Sequence, residues 1–257
     1  MKTMKVFALA VLVALLAAIP AVAQQQLLVS AASSLTDVLT ALKSEAELRT
    51  GARISFNFGA SGALRKQIEE GAPVDVFFSA ASEDVDKLEK AGLLEPGSRK
   101  DILSNSIVLV GGEGQAAPAD AEALKSLLSA SSVLAIGNPD SVPAGRYAVQ
   151  ALKSLGLYGL VEKKLALGGN VRQVLQYVEA GSAPLGIVFL TDAMSVKAGS
   201  PVRRLYAFPE SALQTPVLYP AAVVAASKEK AAAARFIDFL CGEKARVAFA
   251  AAGFTVR

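Results

Sequence analysis

Histidine is absent from this 257-residue sequence, and its absence removes several kinds of chemistry at once. A Ser-His-Asp triad, a zinc site with imidazole ligands and acid–base catalysis by imidazole all require that residue. The hydrolase motif G-x-S-x-G and the P-loop motif do not occur either. The sequence therefore favours a binding protein over an enzyme, although it leaves catalysis by a lysine or a carboxylate open.

Tryptophan is also absent, aromatic residues make up only 6% of the chain, and no dense run of lysine or arginine occurs. The net charge of +3 includes Lys2 and Lys5 of a predicted leader, so the remaining chain carries only +1. We therefore expect no nucleic-acid partner. The single cysteine, Cys241, excludes an internal disulfide, and its apolar neighbours Phe239 and Leu240 predict a buried thiol.

The longest apolar run lies at the start of the sequence and has the form of a signal peptide. Lys2 and Lys5 precede an apolar segment at 6–19, and Pro20 ends it. An A-x-A sequence at 21–23 provides a cleavage site, so we expect an exported protein whose mature chain begins at Gln24. No other segment approaches the roughly 18 apolar residues of a membrane-spanning helix.

A strand that turns through small residues into a helix follows the predicted leader. Residues 27–29 form an apolar run typical of a buried strand, and residues 30–34 are all small. From Leu35 onward, apolar residues recur at helical spacing, which places Ser33 or Ser34 at the helix N-cap. Hydroxyls and free backbone N–H groups at a helix N-terminus can bind an anion, whereas ordinary helix capping is the simpler alternative.

A second turn of the same kind follows the alternating segment at 52–58. The sequence Gly-Ala-Ser-Gly at 59–62 leads into another helical pattern, with Ser61 at the position of an N-cap. Capping again explains the serine. Two such turns close together in the sequence nevertheless favour one ligand that both of them contact.

Buried strands alternate with helices along the rest of the chain. Apolar segments at 74–78, 133–136 and 185–189 are typical of parallel strands, and amphipathic segments lie between them. A helix end, a glycine and a proline precede the strand at 74–78, and the same order precedes the strand at 185–189. Such punctuation is common between helices and strands. Together with the continuous apolar strands, it favours an α/β protein with two similar lobes, each with its own sheet, and a cleft between them.

Five ordered segments resemble the periplasmic molybdate-binding proteins that serve ABC transporters. They are AASSLTDVL at 31–39, QIEEGAPVDVFFSA at 67–80, IGNPDSVPAGRYA at 136–148, NVRQVLQYVEAGSAPLGIVFLTDA at 170–193 and AAGF at 251–254. The resemblance covers essentially the whole mature chain. Five segments at compatible spacings are far more specific than any one of them.

The resemblance implies a two-lobed type II periplasmic binding protein, with a mostly parallel sheet flanked by helices in each lobe. After a signal peptide at 1–23, lobe I would comprise residues 24–104 and 223–257, and lobe II residues 105–222. The implied function is capture of molybdate, and of tungstate, for delivery to the membrane permease of an ABC transporter. The protein would be a monomer without enzymatic activity, cofactor or metal other than the molybdenum of the ligand.

The resemblance also implies a binding site built from neutral hydrogen-bond donors. Ser34 and Ser61 would supply hydroxyls, and Ala144 and Val171 would supply backbone N–H groups. Phe189 stands where the family has a tyrosine, so one hydroxyl is missing or is replaced by water or by another side chain. A lost hydrogen bond to a charged group typically costs about 1.5–3 kcal/mol.

Several alternatives stay open at this stage. The ligand could be another tetrahedral oxyanion, such as sulfate or phosphate, and an exported enzyme on the same fold is the alternative of another class. Arg146 and Arg172, next to two of the implied ligands, could contact the anion or form salt bridges. Asp192 could accept a hydrogen bond near the site or cap a helix.

Overall fold

A computed structural model describes residues 25–257, and the predicted leader at 1–23 lies outside the described residues. The strands are β1 (Gln26–Ala32), β2 (Arg53–Gly59), β3 (Val76–Phe78), β4 (Lys100–Asn105), β5 (Ile107–Gly111), β6 (Leu134–Gly137), β7 (Leu165–Gly168), β8 (Leu185–Phe189), β9 (Arg203–Ala207), β10 (Val217–Val223) and β11 (Thr255–Val256). The α-helices are α1 (Thr36–Thr50), α2 (Ser61–Glu69), α3 (Ser82–Lys90), α4 (Ala121–Ala130), α5 (Pro143–Ser154), α6 (Tyr158–Val161), α7 (Val171–Glu179), α8 (Leu190–Met194), α9 (Lys230–Cys241) and α10 (Glu243–Ala251). Short 3₁₀-helices cover Ser33–Leu35, Glu162–Lys164 and Glu210–Ala212.

The strands form two sheets, and both are mixed rather than mostly parallel. The first has the order β11-β4-β10-β3-β1-β2, and the second has the order β7-β6-β8-β5-β9. Parallel pairing joins β1 to β2 and β3 in the first sheet, and β6 to β7 and β8 in the second. The other pairs are antiparallel, because β10 and β11 run opposite to the other strands of the first sheet and β5 runs opposite to the other strands of the second.

The chain crosses between the two sheets twice. It leaves the first sheet at Asn105, the last residue of β4, and enters the second at Ile107, the first residue of β5. It returns before Val217, because β10 pairs with β3 and β4 of the first sheet. The resemblance had implied that lobe II extends to residue 222, whereas β10 belongs to the first sheet from Val217 onward. We call residues 25–105 and 217–257 the first lobe, and 107–207 the second lobe.

Helices cover both faces of the sheets, as the continuous apolar strands predict. Strand β1 buries Leu27 and Val29, and the predicted helical stripe on α1 buries Leu39. Phe78 on β3 packs edge-on against Phe249 of α10, with ring centroids 6.4 Å apart. The apolar core is continuous from the first lobe into the second, so the lobes share packed contacts at their junction.

The thiol of Cys241 is exposed, and the prediction that it is buried is wrong. Cys241 is the last residue of α9 and turns outward, whereas Leu240 beside it is buried. Apolar neighbours in the sequence do not share a helix face, because adjacent residues are rotated by about 100°. Within residues 25–257, no helix combines the length and the apolar character needed to cross a membrane.

Helix α5 lies unusually close to strand β6 at one glycine. A Cβ atom added to Gly145 would lie 1.9 Å from the carbonyl oxygen of Gly137, which is a severe clash with backbone. The helix begins at Pro143, because proline suits the first helical position. The close approach therefore requires glycine and sets the position of the first turn of α5.

We expect Gly145→Ala to lower the free energy of unfolding in urea by about 1–3 kcal/mol, because the added methyl group overpacks the contact between α5 and β6. Gly159→Ala is the matched control, since a Cβ atom at Gly159 meets nothing within 4 Å. Equal stability of the two variants would show that α5 can move away from β6 at little cost.

Candidate functional site

The predicted ligands lie where parallel strands end and the following helices begin. Ala32 of β1 is paired with Gly59 of β2, so Ser34 and Ser61 each lie two residues beyond a matched pair. In the second sheet Gly137 is paired with Gly168, and helices α5 and α7 follow those strand ends. Ligands of open α/β sheets bind at this carboxyl edge. Sequence reasoning had predicted the two serine turns, and the strand register places them side by side.

Neither serine caps its helix, which contradicts the capping alternative. Ser34 lies in the 3₁₀-turn before α1, and its Oγ is 2.9 Å from the hydroxyl of Tyr219. Ser61 is the first residue of α2, and its Oγ accepts a hydrogen bond of 2.9 Å from the N–H of Ala80. Both serines are buried. Since Ala80 is the donor in its bond, the hydroxyl proton of Ser61 can be donated to a ligand.

Ala144 and Val171 present backbone N–H groups that their helices cannot use. Gly145 and Arg146 both donate to the carbonyl of Val142, whereas Ala144, in the first turn of α5, has no intrahelical acceptor. Val171 opens α7 in the same way, and both residues are buried. A buried N–H group without an acceptor is costly, so these two donors suit a bound anion.

Two contacts bring the lobes together beside these donors. The N–H of Gly62, next to Ser61, donates to the carbonyl of Ser141 over 2.9 Å, close to Ala144. A Cβ atom on Gly62 would lie 2.7 Å from that carbonyl oxygen, so the approach is tight.

On the other side, Arg172 bonds Asp37 across the cleft, with Nη2 and Oδ2 2.7 Å apart. Arg172 follows Val171, and Asp37 lies one helical turn beyond Ser34. The structure thus brings Ser61 near Ala144 and Ser34 near Val171.

Phe189 ends β8 and is buried among aromatic rings rather than facing an open cleft. Its ring centroid is 5.7 Å from that of Tyr219 and 6.4 Å from that of Tyr147. Tyr219, against which Phe189 packs, lies with its hydroxyl 2.9 Å from Ser34 Oγ. Sequence reasoning did not connect Tyr219 with Ser34, because the two residues are 185 positions apart.

The two arginines near the predicted ligands form salt bridges between the lobes. Arg146 of the second lobe pairs with buried Asp84 and, at 3.3 Å, with Glu83, both on α3 of the first lobe. Arg172 pairs with Asp37 of the first lobe and with Asp192 of the second. Their charges are therefore balanced by carboxylates, which leaves the donors at the strand ends as uncharged groups.

Asp192 is fully buried in α8, and burial raises the pKa of its carboxyl group to about 7. Arg172 opposes this rise, with its Nε 2.7 Å from Oδ1 of Asp192. The carboxyl group therefore gains a proton near neutral pH.

A cavity of about 290 Å³ opens between the lobes next to Ser34. Its other lining residues come from α1, α7, α8 and the C-terminal segment: Asp37, Val38, Arg172, Thr191, Met194, Ser195, Ala251, Ala252 and Phe254. Ser61, Ala144, Val171 and Phe189 are not among the residues that line it. Within residues 25–257, no group of three or more acidic or cysteine side chains is arranged to hold a metal ion.

Comparison with known proteins agrees with this architecture. The sequence profile of the family described as "Bacterial extracellular solute-binding protein" matches residues 27–255. The chain is 36% identical over 230 residues to a putative ABC transporter substrate-binding lipoprotein, YvgL of Bacillus subtilis, covering 89% of this chain and 86% of the relative. It is 33% identical over 232 residues to the molybdate-binding protein ModA of Escherichia coli, and the match covers 89% of this chain and 88% of that protein.

The fold is similar to that of a solved molybdate-binding protein. The periplasmic molybdate-binding protein of Azotobacter vinelandii superimposes with a TM-score of 0.79 at 28% identity, covering 90% of this chain and 99% of that one. The substrate-binding domain of a putative molybdenum ABC transporter from Clostridium difficile superimposes with a TM-score of 0.67 at 30% identity, and the match covers 90% of this chain and 99% of that one. The predicted two-lobed α/β fold of type II periplasmic binding proteins is confirmed.

We expect Gly62→Ala to hold the lobes apart, because its methyl group would collide with the backbone of Ser141. Spin labels on two exposed residues, Leu48 of the first lobe and Leu167 of the second, would report a longer distance in a Cys241→Ser background.

The matched control for this measurement is Gly159→Ala, which adds the same methyl group in open space and should leave the distance between the labels unchanged. An unchanged distance in Gly62→Ala would mean that the two lobes do not depend on this contact for their approach.

We expect Asp192 to make the protein less stable as the pH rises. The folded protein retains a proton between the ordinary pKa of 3.8 and about 7, whereas the unfolded chain releases it. The free energy of unfolding therefore falls through this window, by about 1 kcal/mol per pH unit relative to Asp192→Asn. Urea unfolding of both proteins at pH 5, 6, 7 and 8 measures the difference, and parallel curves would refute it.

Proposed function

This chain belongs to the bacterial extracellular solute-binding proteins, and we propose that it captures molybdate and hands it to the membrane permease of an ABC transporter. Its similarity to the molybdate-binding proteins of Escherichia coli and Azotobacter vinelandii supports this ligand. We further propose that residues 1–23 direct export to the periplasm and that the mature protein acts as a monomer without a cofactor.

One observation carries the proposal: each lobe has uncharged, buried donors at the carboxyl edge of its sheet, while the nearby arginines are already paired with carboxylates. Ser61 retains a hydroxyl proton to donate, and Ala144 and Val171 have N–H groups without intrahelical acceptors. An oxyanion that is fully ionised at neutral pH offers only acceptor oxygens, so it suits a site of donors alone. A protonated anion such as hydrogen phosphate would also need an acceptor.

Selection by size follows from the way these donors are held. Each donor belongs to the first turn of a helix or to a tight turn at a strand end, and each must reach an oxygen at about 2.7–3.0 Å. A site spaced for molybdate would also fit tungstate, because both are larger tetrahedral oxyanions than sulfate. We therefore propose tungstate as a second ligand and sulfate as a poor one.

Capture proceeds by closure of the lobes around the anion. The Gly62–Ser141 hydrogen bond and the Arg146 and Arg172 salt bridges all join the two lobes, so they stabilise only the closed form. The anion accepts hydrogen bonds from donors of both lobes. These bonds add to the contacts of the closed form and shift the population toward closure. The permease would then receive the closed form.

We expect Ser34→Ala and Ser61→Ala each to weaken molybdate binding by roughly tenfold to over a hundredfold, since each removes one donor to a charged group worth about 1.5–3 kcal/mol. Isothermal titration of the chain from Gln24 onward, with molybdate, tungstate, sulfate and phosphate in turn, measures both affinity and preference.

The control for these titrations is Ser131→Ala. Ser131 donates to the carbonyl of Val133 before β6, at the edge of the second sheet opposite the candidate site. Its loss should leave the affinity unchanged. Preference for sulfate or phosphate would overturn the proposed ligand while keeping the family, and absence of binding to all four anions would overturn oxyanion capture.

A further inference from the structure

Tyr219 is buried, and its hydroxyl lies beside Ser34. It lies on β10 of the first lobe, where the pairing with β4 shifts register between Tyr219 and Pro220. Such bulges redirect side chains next to functional sites. The rings of Phe189 and Phe254 hold the tyrosine edge-on, with centroids 5.7 and 5.3 Å away. The hydroxyl is therefore fixed rather than free to search for partners.

The hydroxyl of Tyr219 joins a chain of hydrogen bonds whose direction can be assigned. Asn105 Oδ1 accepts the N–H of Ser106 at 2.8 Å, which identifies the other amide atom as the donor. That donor, Nδ2, bonds the Tyr219 oxygen at 3.2 Å and the Thr191 hydroxyl oxygen at 2.9 Å. The Tyr219 oxygen thus accepts from Asn105, and its own proton is available for Ser34, 2.9 Å away.

We propose that Tyr219 is a positioning residue that donates to Ser34 Oγ and thereby commits the Ser34 proton to the bound oxyanion. The inference rests on the proposed function and adds to it a residue that acts through Ser34. A serine hydroxyl has one proton, so a serine that donated to Tyr219 could not also donate to the anion. When Ser34 Oγ accepts a hydrogen bond from the Tyr219 hydroxyl, that competition is removed and the serine O–H is polarised toward its ligand.

Two further observations agree with this assignment. Burial raises the pKa of Tyr219 well above its ordinary value, so the phenol keeps its proton at every pH at which the protein works. Phe189 has no hydroxyl and packs on the Tyr219 ring. In this chain, the aromatic hydroxyl of the site therefore comes from β10 and acts on Ser34, instead of coming from β8.

A double-mutant cycle of Tyr219→Phe and Ser34→Ala tests the inference, with molybdate affinity as the measurement. Tyr219→Phe removes one oxygen and keeps the ring packing. We expect it to weaken binding by about five- to tenfold in the presence of Ser34, and to have no effect when Ser34 is already alanine. A tyrosine that merely supports the fold would weaken binding by the same factor in both backgrounds.

Tyr147→Phe is the matched control for the cycle, because Tyr147 is also buried and its ring also packs against Phe189. Its hydroxyl interacts with Thr215 and has no role in the chain that reaches Ser34, so its removal should leave the affinity unchanged. Thermal unfolding of each ligand-free variant verifies that it is folded.

The outcomes separate this inference from the proposed function. Wild-type binding with equal losses in both backgrounds, or with no loss in Tyr219→Phe, overturns the role of Tyr219 and leaves molybdate capture intact. If the wild type prefers another of the four anions, the same cycle is measured with that anion. Failure of the folded wild type to bind any of them overturns both proposals.

Discussion

Buried backbone N–H groups at helix N-termini constrain this protein more than any other feature. Helices α2, α5 and α7 all begin at the carboxyl edge of a parallel part of a sheet, and their first residues are buried. The N–H groups of Ala144 and Val171 have no acceptor within their own helices, whereas Gly62 donates to Ser141 and Gln173 to the side chain of Asn170. Burial without a partner costs about 1–3 kcal/mol for each group, so a ligand with several acceptor oxygens can stabilise the closed arrangement strongly.

The salt bridges complement these N–H donors by directing the nearby positive charges away from them. Arg146 and Arg172 each lie one or two residues beyond a predicted N–H donor, yet both point to carboxylates of the opposite lobe. They therefore join the two lobes, and the proposed recognition of the anion rests on groups without charge. A site with free guanidinium groups would attract anions of any size, whereas fixed neutral donors respond to the positions of the oxygens.

The sequence predicted well those features that depend on local pattern. Small residues between an apolar strand and a helical stripe predicted the turns of Ser34 and Ser61, and alternation of strands and helices predicted the α/β class. The sequence did not predict the features that depend on contacts between residues distant in the chain. The pairing of β10 with β3 and β4, and the contact of Tyr219 with Ser34, depend on tertiary structure and leave no local signal. The ligand role of the five predicted residues stays a prediction, which the described contacts support most directly for Ser34 and Ser61.

Asn105 and Tyr219 connect the candidate site with the junction between the lobes. Asn105 ends β4 where the chain first crosses to the second sheet, and it bonds Tyr219 of the first lobe and Thr191 of the second. Since Tyr219 reaches Ser34, one chain of hydrogen bonds runs from the second lobe through the crossing to a predicted ligand. Rotation of the lobes about this crossing would change the geometry of that chain. The orientation of Ser34 and the closure of the cleft are therefore expected to be coupled, because both depend on where Asn105 directs its two protons.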